Sequence, residues 1–190
     1  METSIGILDQ CLDAFGEPVP PRYRALIAGA IGFYQIPIGM LDEARKNLEE
    51  SLQYHRESGD KQTVSYALNN LGNVHVKRGE FLEAASLYRD SLKMKAELND
   101  DWGASYSFEG LARCEFEAGS ANGAARLLGA AFAIRSRLKA PIEVPLKAEL
   151  ADFASKVRTA LSEEDYGREF ASGQNSDWKS IAMSAEHTTQ

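Results

Sequence analysis

The chain repeats itself with a period of 40 residues, and no other feature restricts its fold as much. Setting Gly32 over Gly72 and stepping on by the same interval reaches Ala112. That interval also aligns Gly39, Gly79 and Gly119; Ile31, Leu71 and Leu111; Ala44, Ala84 and Ala124; Leu48, Tyr88 and Leu128; and Leu52, Leu92 and Phe132. Small residues fall on small ones and large apolar residues on large ones. A period of this length marks units that cannot bury their apolar side alone and obtain a core by stacking on one another.

Within a unit the pattern is that of two helices. Leu68, Leu71 and His75 recur at three- and four-residue steps, and after Gly79 a second face runs through Leu82, Ala85, Leu87, Tyr88 and Leu92. Glycine at 39, 79 and 119 suits the positive-φ position that ends a helix, so each hairpin turns there. The alanines at 44, 84 and 124 let the second helix lie close to the first, which offers Gly32, Gly72 or Ala112 in return. The units span roughly 25–60, 65–100 and 105–140. A first helix at roughly 2–14, apolar through Ile5, Leu8, Cys11, Leu12 and Phe15, is expected to cap one end. A helix at about 143–161, with Leu146, Leu150, Phe153, Val157 and Leu161 on one face, is expected to cap the other. Pro18, Pro20 and Pro21 mark one boundary, and Pro141 and Pro145 the other. The expected organisation is one domain over 1–172, with its C-terminal cap at about 143–172. Residues 173–190 are left as a flexible tail or one short docked helix.

The second unit, LNNLGNVHVKRGEFLEAASLYRDSL, carries Leu71-Gly72, then Gly79 and Phe81, then Ala84-x3-Tyr88, and so resembles the tetratricopeptide repeat in a 40-residue form. The resemblance implies an all-α, right-handed solenoid of three helix-hairpin repeats with capping helices at both ends. The third unit, WGASYSFEGLARCEFEAGSANGAARLLGAAFAIRSRLKAPI, and the closing VRTALSEEDYGREFASGQNSDWKSIA are similar to the C-terminal repeat region of bacterial MalT-like or LuxR-type ATP-dependent transcription regulators. The nucleotide-binding and helix-turn-helix domains of such regulators are not in this sequence, which is then either a stand-alone relative or a piece of a longer protein.

Chemistry finds little to work with. A net charge of −7 opposes direct nucleic-acid binding. Cys11 and Cys114 are far apart and give no disulfide framework. No basic leader precedes an apolar run and no stretch is long enough to span a membrane, so a cytoplasmic location is expected. There is no phosphate-binding glycine loop of the GxxxxGK[ST] type, and His55, His75 and His187 show no metal-ligand spacing. Cys114 has Arg113 beside it but no histidine at helical spacing to act as its base. No catalytic residue, cofactor or metal is therefore assigned, and the chain is expected not to be an enzyme.

What remains is binding. The tetratricopeptide resemblance implies a groove lined by the first helices of successive units, here Leu26, Gly29 and Phe33, then Tyr66, Asn69, Asn73 and Lys77, then Tyr106, Glu109, Arg113 and Glu117. The expected function is a non-catalytic, regulatory or scaffolding module that holds a peptide or partner domain in that groove. The alternative is an inducer-sensing region, as the regulator resemblance implies. Dimerisation through the caps is a further option that the sequence leaves open.

Overall fold

The computed structural model describes residues 4–16, 18–140 and 144–184, with the backbone alone at 144–146 and 184. Among the described residues the regular structure is entirely helical. The helices are α1 (Ser4–Phe15), α2 (Pro21–Gln35), α3 (Leu41–Glu57), α4 (Lys61–Arg78), α5 (Phe81–Leu98), α6 (Asp101–Glu117), α7 (Ala121–Leu138), α8 (Val144–Thr159), α9 (Glu163–Asn175) and α10 (Trp178–Ser184). The three units are the hairpins α2–α3, α4–α5 and α6–α7, and each packs on the next to form an all-α solenoid.

The aligned columns are the contacts that hold each hairpin closed. Ala44, Ala84 and Ala124 are all fully buried. A Cβ at Gly32 would meet Leu48 Cγ at 2.7 Å, and one at Gly72 would meet the Tyr88 ring at 2.8 Å, so the glycine column makes room for the bulky column opposite. The hairpins turn at Gly39, Gly79 and Gly119, with φ of 81°, 76° and 86°. A second set of left-handed residues, Gly59, Asn99 and Lys139, lies just past the second helix of each unit and falls on the same 40-residue grid. The carboxylates of Asp60 and Asp100 then cap α4 and α6, accepting from the backbone N–H of Thr63 and Gly103. Two expected core residues lie outside it. Leu82 is 79% exposed at the start of α5, and Phe132 is 54% exposed, its ring leaning on Phe170 of α9.

The two ends differ. At the first, α1 caps α2 loosely: Ile5, Leu8 and Leu12 are half-buried, none of its side chains is fully buried, and the Phe15 ring stacks on Tyr23 at 4.7 Å. At the other, α8 inserts Phe153 and Val157. Beyond it α9 packs closely on the middle of α7, around Arg126–Phe132, and the expected domain boundary after residue 172 falls inside α9. Helix α10 docks through Trp178, whose ring meets Phe108 edge-on at 6.3 Å and whose indole N–H donates to Asp101 at 2.9 Å.

Candidate partner-binding groove

Helices α2, α4 and α6 stack in order, so residues 40 apart share one side of the solenoid. Leu26 and Phe33 are 41% and 49% exposed on α2. Tyr66, Asn73, Tyr106 and Arg113 are half-buried, and Lys77 and Glu117 are exposed at the far ends of α4 and α6. Gly29 lies against Ser51 of α3 and presents no side chain. Asn73 accepts the Tyr88 hydroxyl at 2.8 Å through Oδ1, which leaves its NH2 group to donate outward.

Asn69 and Glu109, expected in the lining, are turned inward. Asn69 is 7% exposed and accepts from the Ser107 hydroxyl at 2.7 Å. Glu109 is 8% exposed and holds the Arg135 guanidinium with both oxygens, at 2.6 and 3.1 Å. Burial raises its carboxyl against the pull of that guanidinium. At the third unit the groove is bounded by the chain itself. The Arg113 guanidinium lies 4.9 Å from the centre of the Phe153 ring on α8, and Phe116 meets the same ring edge-on.

Beneath the lining is a column that the apolar reading of the repeat passed over. His55, Lys95 and Arg135 are 40 residues apart, each near the end of a second helix, and each is buried. The Lys95 ammonium donates to Ser107 Oγ at 2.8 Å and sits 5.0 Å from the centre of the Tyr66 ring, while Arg135 lies 4.5 Å from that of Tyr106. Burial, partly offset by Asp100, pulls Lys95 down to about 7. Burial and then Asp100 raise Tyr66 well above the ordinary tyrosine value. The groove tyrosines are thus propped from behind by buried cations, which fixes where their rings stand. The signal was available in the sequence: the same 40-residue offset, applied to basic residues, finds it.

Cys114 is buried, and that burial pushes its thiol up to about 12, so it carries no thiolate at neutral pH. His55 faces Asp60 at 3.3 Å and His75 faces Glu80 at 2.6 Å, each a local pair at the end of its helix.

The architecture is that of a helical-repeat scaffold whose surface is built from stacked hairpins. The family profile of the tetratricopeptide repeat matches residues 23–97, which are the first two units. The third unit lies outside the match but repeats its geometry, with Ala124 and Ala112 buried where Ala84 and Gly72 are. The fold is a tetratricopeptide-type solenoid, a class whose repeats generally mediate protein–protein interaction. No curated protein matches the chain.

Proposed function

We propose that the chain is a non-catalytic, regulatory or scaffolding module that binds a peptide or partner segment along α2, α4 and α6. The observation that carries this reading is the mixed lining left open there. Exposed Leu26 and Phe33 offer apolar area, the Asn73 amide offers a donor for a main-chain carbonyl, and Lys77 and Glu117 supply charge at the rim. Propped tyrosines add contact area that loses little freedom on binding. The regulator resemblance supplies a second reading, an inducer sensor. The observation in its favour is a cleft of about 740 Å³ between α1, α2 and α3, floored by Ala28 and Ile31 and edged by Asp9, Arg24 and Glu50.

One experiment weighs both readings. Affinity capture with the full chain should recover a protein partner that is lost from the double variant Asn73→Ala/Tyr106→Ala and weakened by Lys77→Glu, whose side chain is exposed and not needed for folding. Melting curves of the variants establish that they are folded. Unchanged capture by both variants would refute the groove. A metabolite that raises the melting temperature, with no protein captured, would favour the sensor.

A further inference from the structure

The groove helices carry charge of the opposite sign to the chain as a whole. Helices α2 and α4, of 15 and 18 residues, contain no Asp or Glu, although the chain has 28 of them and a net charge of −7. Their bases are Arg22, Arg24, Lys61, Lys77 and Arg78. The acids of the first hairpin are all on its second helix: Asp42, Glu43, Glu49, Glu50 and Glu57. On α6, three acids are taken up by arginines of the second helices, Asp101 by Arg137, Glu109 by Arg135 and Glu115 by Arg89. That leaves Glu117. The carboxylates at the helix mouths, Asp60 and Asp100, are turned to the backbone N–H groups they cap and to His55 and Lys95 behind them.

Not all of the bases face the groove. Lys61 donates to Glu97 at 2.8 Å, Arg78 pairs with Asp42, and Arg24 lines the cleft under α1. Arg22, Lys77 and Arg113 remain, none with an ion-pair partner among the described residues. All three fall on the groove stripe. Arg22 is one turn before Leu26, Lys77 is one turn beyond Asn73, and Arg113 shares a row with Phe33 and Asn73 at the 40-residue spacing. Arg22 and Lys77 are exposed, and Arg113 is half-buried with its guanidinium over Phe153. Unpaired base on the inner wall of an acidic molecule draws acidic side chains to that wall and repels basic ones. A segment crossing from α2 to α6 meets apolar surface at Phe33, then the Asn73 amide, then Lys77 and Arg113. A phosphate backbone would meet the same cations, but only these few, on a molecule that repels it as a whole. We infer that the occupant of the groove is an acidic segment of another protein, which sets an apolar side chain over Leu26 and Phe33 and its carboxylates against Lys77 and Arg113. This rests on the groove reading above and adds the sign of the partner's charge.

Selection of a random linear-peptide display library on the full chain is the test. The enriched peptides should carry more Asp and Glu, and fewer Lys and Arg, than the starting library. A synthetic peptide from that pool should bind at least tenfold more weakly to Lys77→Glu, several-fold more weakly to Arg22→Glu, and several-fold more tightly to Glu117→Lys. All three side chains are exposed, and melting curves establish that the variants fold. Affinity should also fall as NaCl is raised. Acidic peptides indifferent to the three charge changes overturn the inference, as does a library that yields no enrichment. Enriched peptides that are neutral or basic overturn it too. If their binding is nonetheless lost from Asn73→Ala/Tyr106→Ala, the groove stands and only the charge of its occupant is wrong. A single-stranded oligonucleotide that displaces an acidic peptide with equal affinity overturns the inference and reassigns the cations to nucleic acid.

Discussion

Lys95 is the residue whose environment is furthest from what its chemistry prefers. Its side chain is fully buried, and its partners are a hydroxyl, an aromatic face and the Asp100 carboxylate nearby. A lysine drawn from 10.5 down to about 7 binds its proton more weakly in the folded chain than in the unfolded one. Below that pH both states carry the ammonium, and the folded state bears the full cost of burying it. Between about 7 and 10.5 the unfolded chain holds more protons, so stability climbs as pH rises. Cys114 works in the opposite sense, since its thiol moves from 9.0 up to about 12 and its contribution is lost as pH rises through that range. The span from pH 6 to 9 therefore isolates the lysine. Across it the wild-type stability should increase by roughly 2–3 kcal/mol, at about 1.4 kcal/mol per pH unit above the folded pKa. Lys95→Met should flatten that slope and be the more stable protein at pH 6. Urea midpoints at several pH values provide the measurement, and parallel curves for the two proteins would show that Lys95 is not the source.

Helix α9 shows what a single element adds to a solenoid end. It crosses α7 at Gly129 and Gly173, where each glycine faces the other helix's backbone. A Cβ at Gly129 would overlap the Phe170 carbonyl, and one at Gly173 the Arg126 carbonyl. The close crossing brings Arg126 to Glu169, with Nε at 3.1 Å and Nη2 at 2.5 Å from one carboxylate oxygen. Gly173→Val should force the helices apart and cost about 1–3 kcal/mol, as overpacking does, and so lower Tm by several degrees in a chain of this size. Gly167, with open space around it, is the control: Gly167→Ala should be neutral or stabilising, since alanine favours helix by up to about 1 kcal/mol. Equal losses from both changes would mean that the crossing is not close. The paired helices of the units were legible because the repeat places small residues opposite large ones three times over, as with Gly72 and Tyr88. The α9 crossing was not, since Gly129 and Gly173 fall on no common period and each alone reads as a weak helix position. Trp178 is a similar case: its partner Asp101 is remote in the chain, and a lone tryptophan in a polar stretch does not indicate what covers it. The helix carrying each expected lining residue was legible, but not the direction in which two of them point. Asn69 and Glu109 turn inward because Ser107 and Arg135, on neighbouring helices, take up their hydrogen bonds.

Along the whole molecule these differences combine into a gradient of stability. In a solenoid each unit contacts only its neighbours, so a unit with poor covering opens more readily than one held on both sides. The second unit is flanked by α3 and α6 and carries α10 on α5, and the third is closed by α8 and α9, with Trp178 of α10 reaching α6. Among the described residues, the first has α4 on one side and α1 on the other, and α1 buries none of its own residues. Amide hydrogen exchange at low protein concentration should therefore rank α1 as the fastest helix, α2 and α3 as intermediate, and α4 to α7 as the slowest. Protection of α2 equal to that of α6 would contradict the gradient. It would mean that the α2–α3 hairpin, with Ala44 and Leu48 packed against Gly32, is stable enough to do without a neighbour on its outer side.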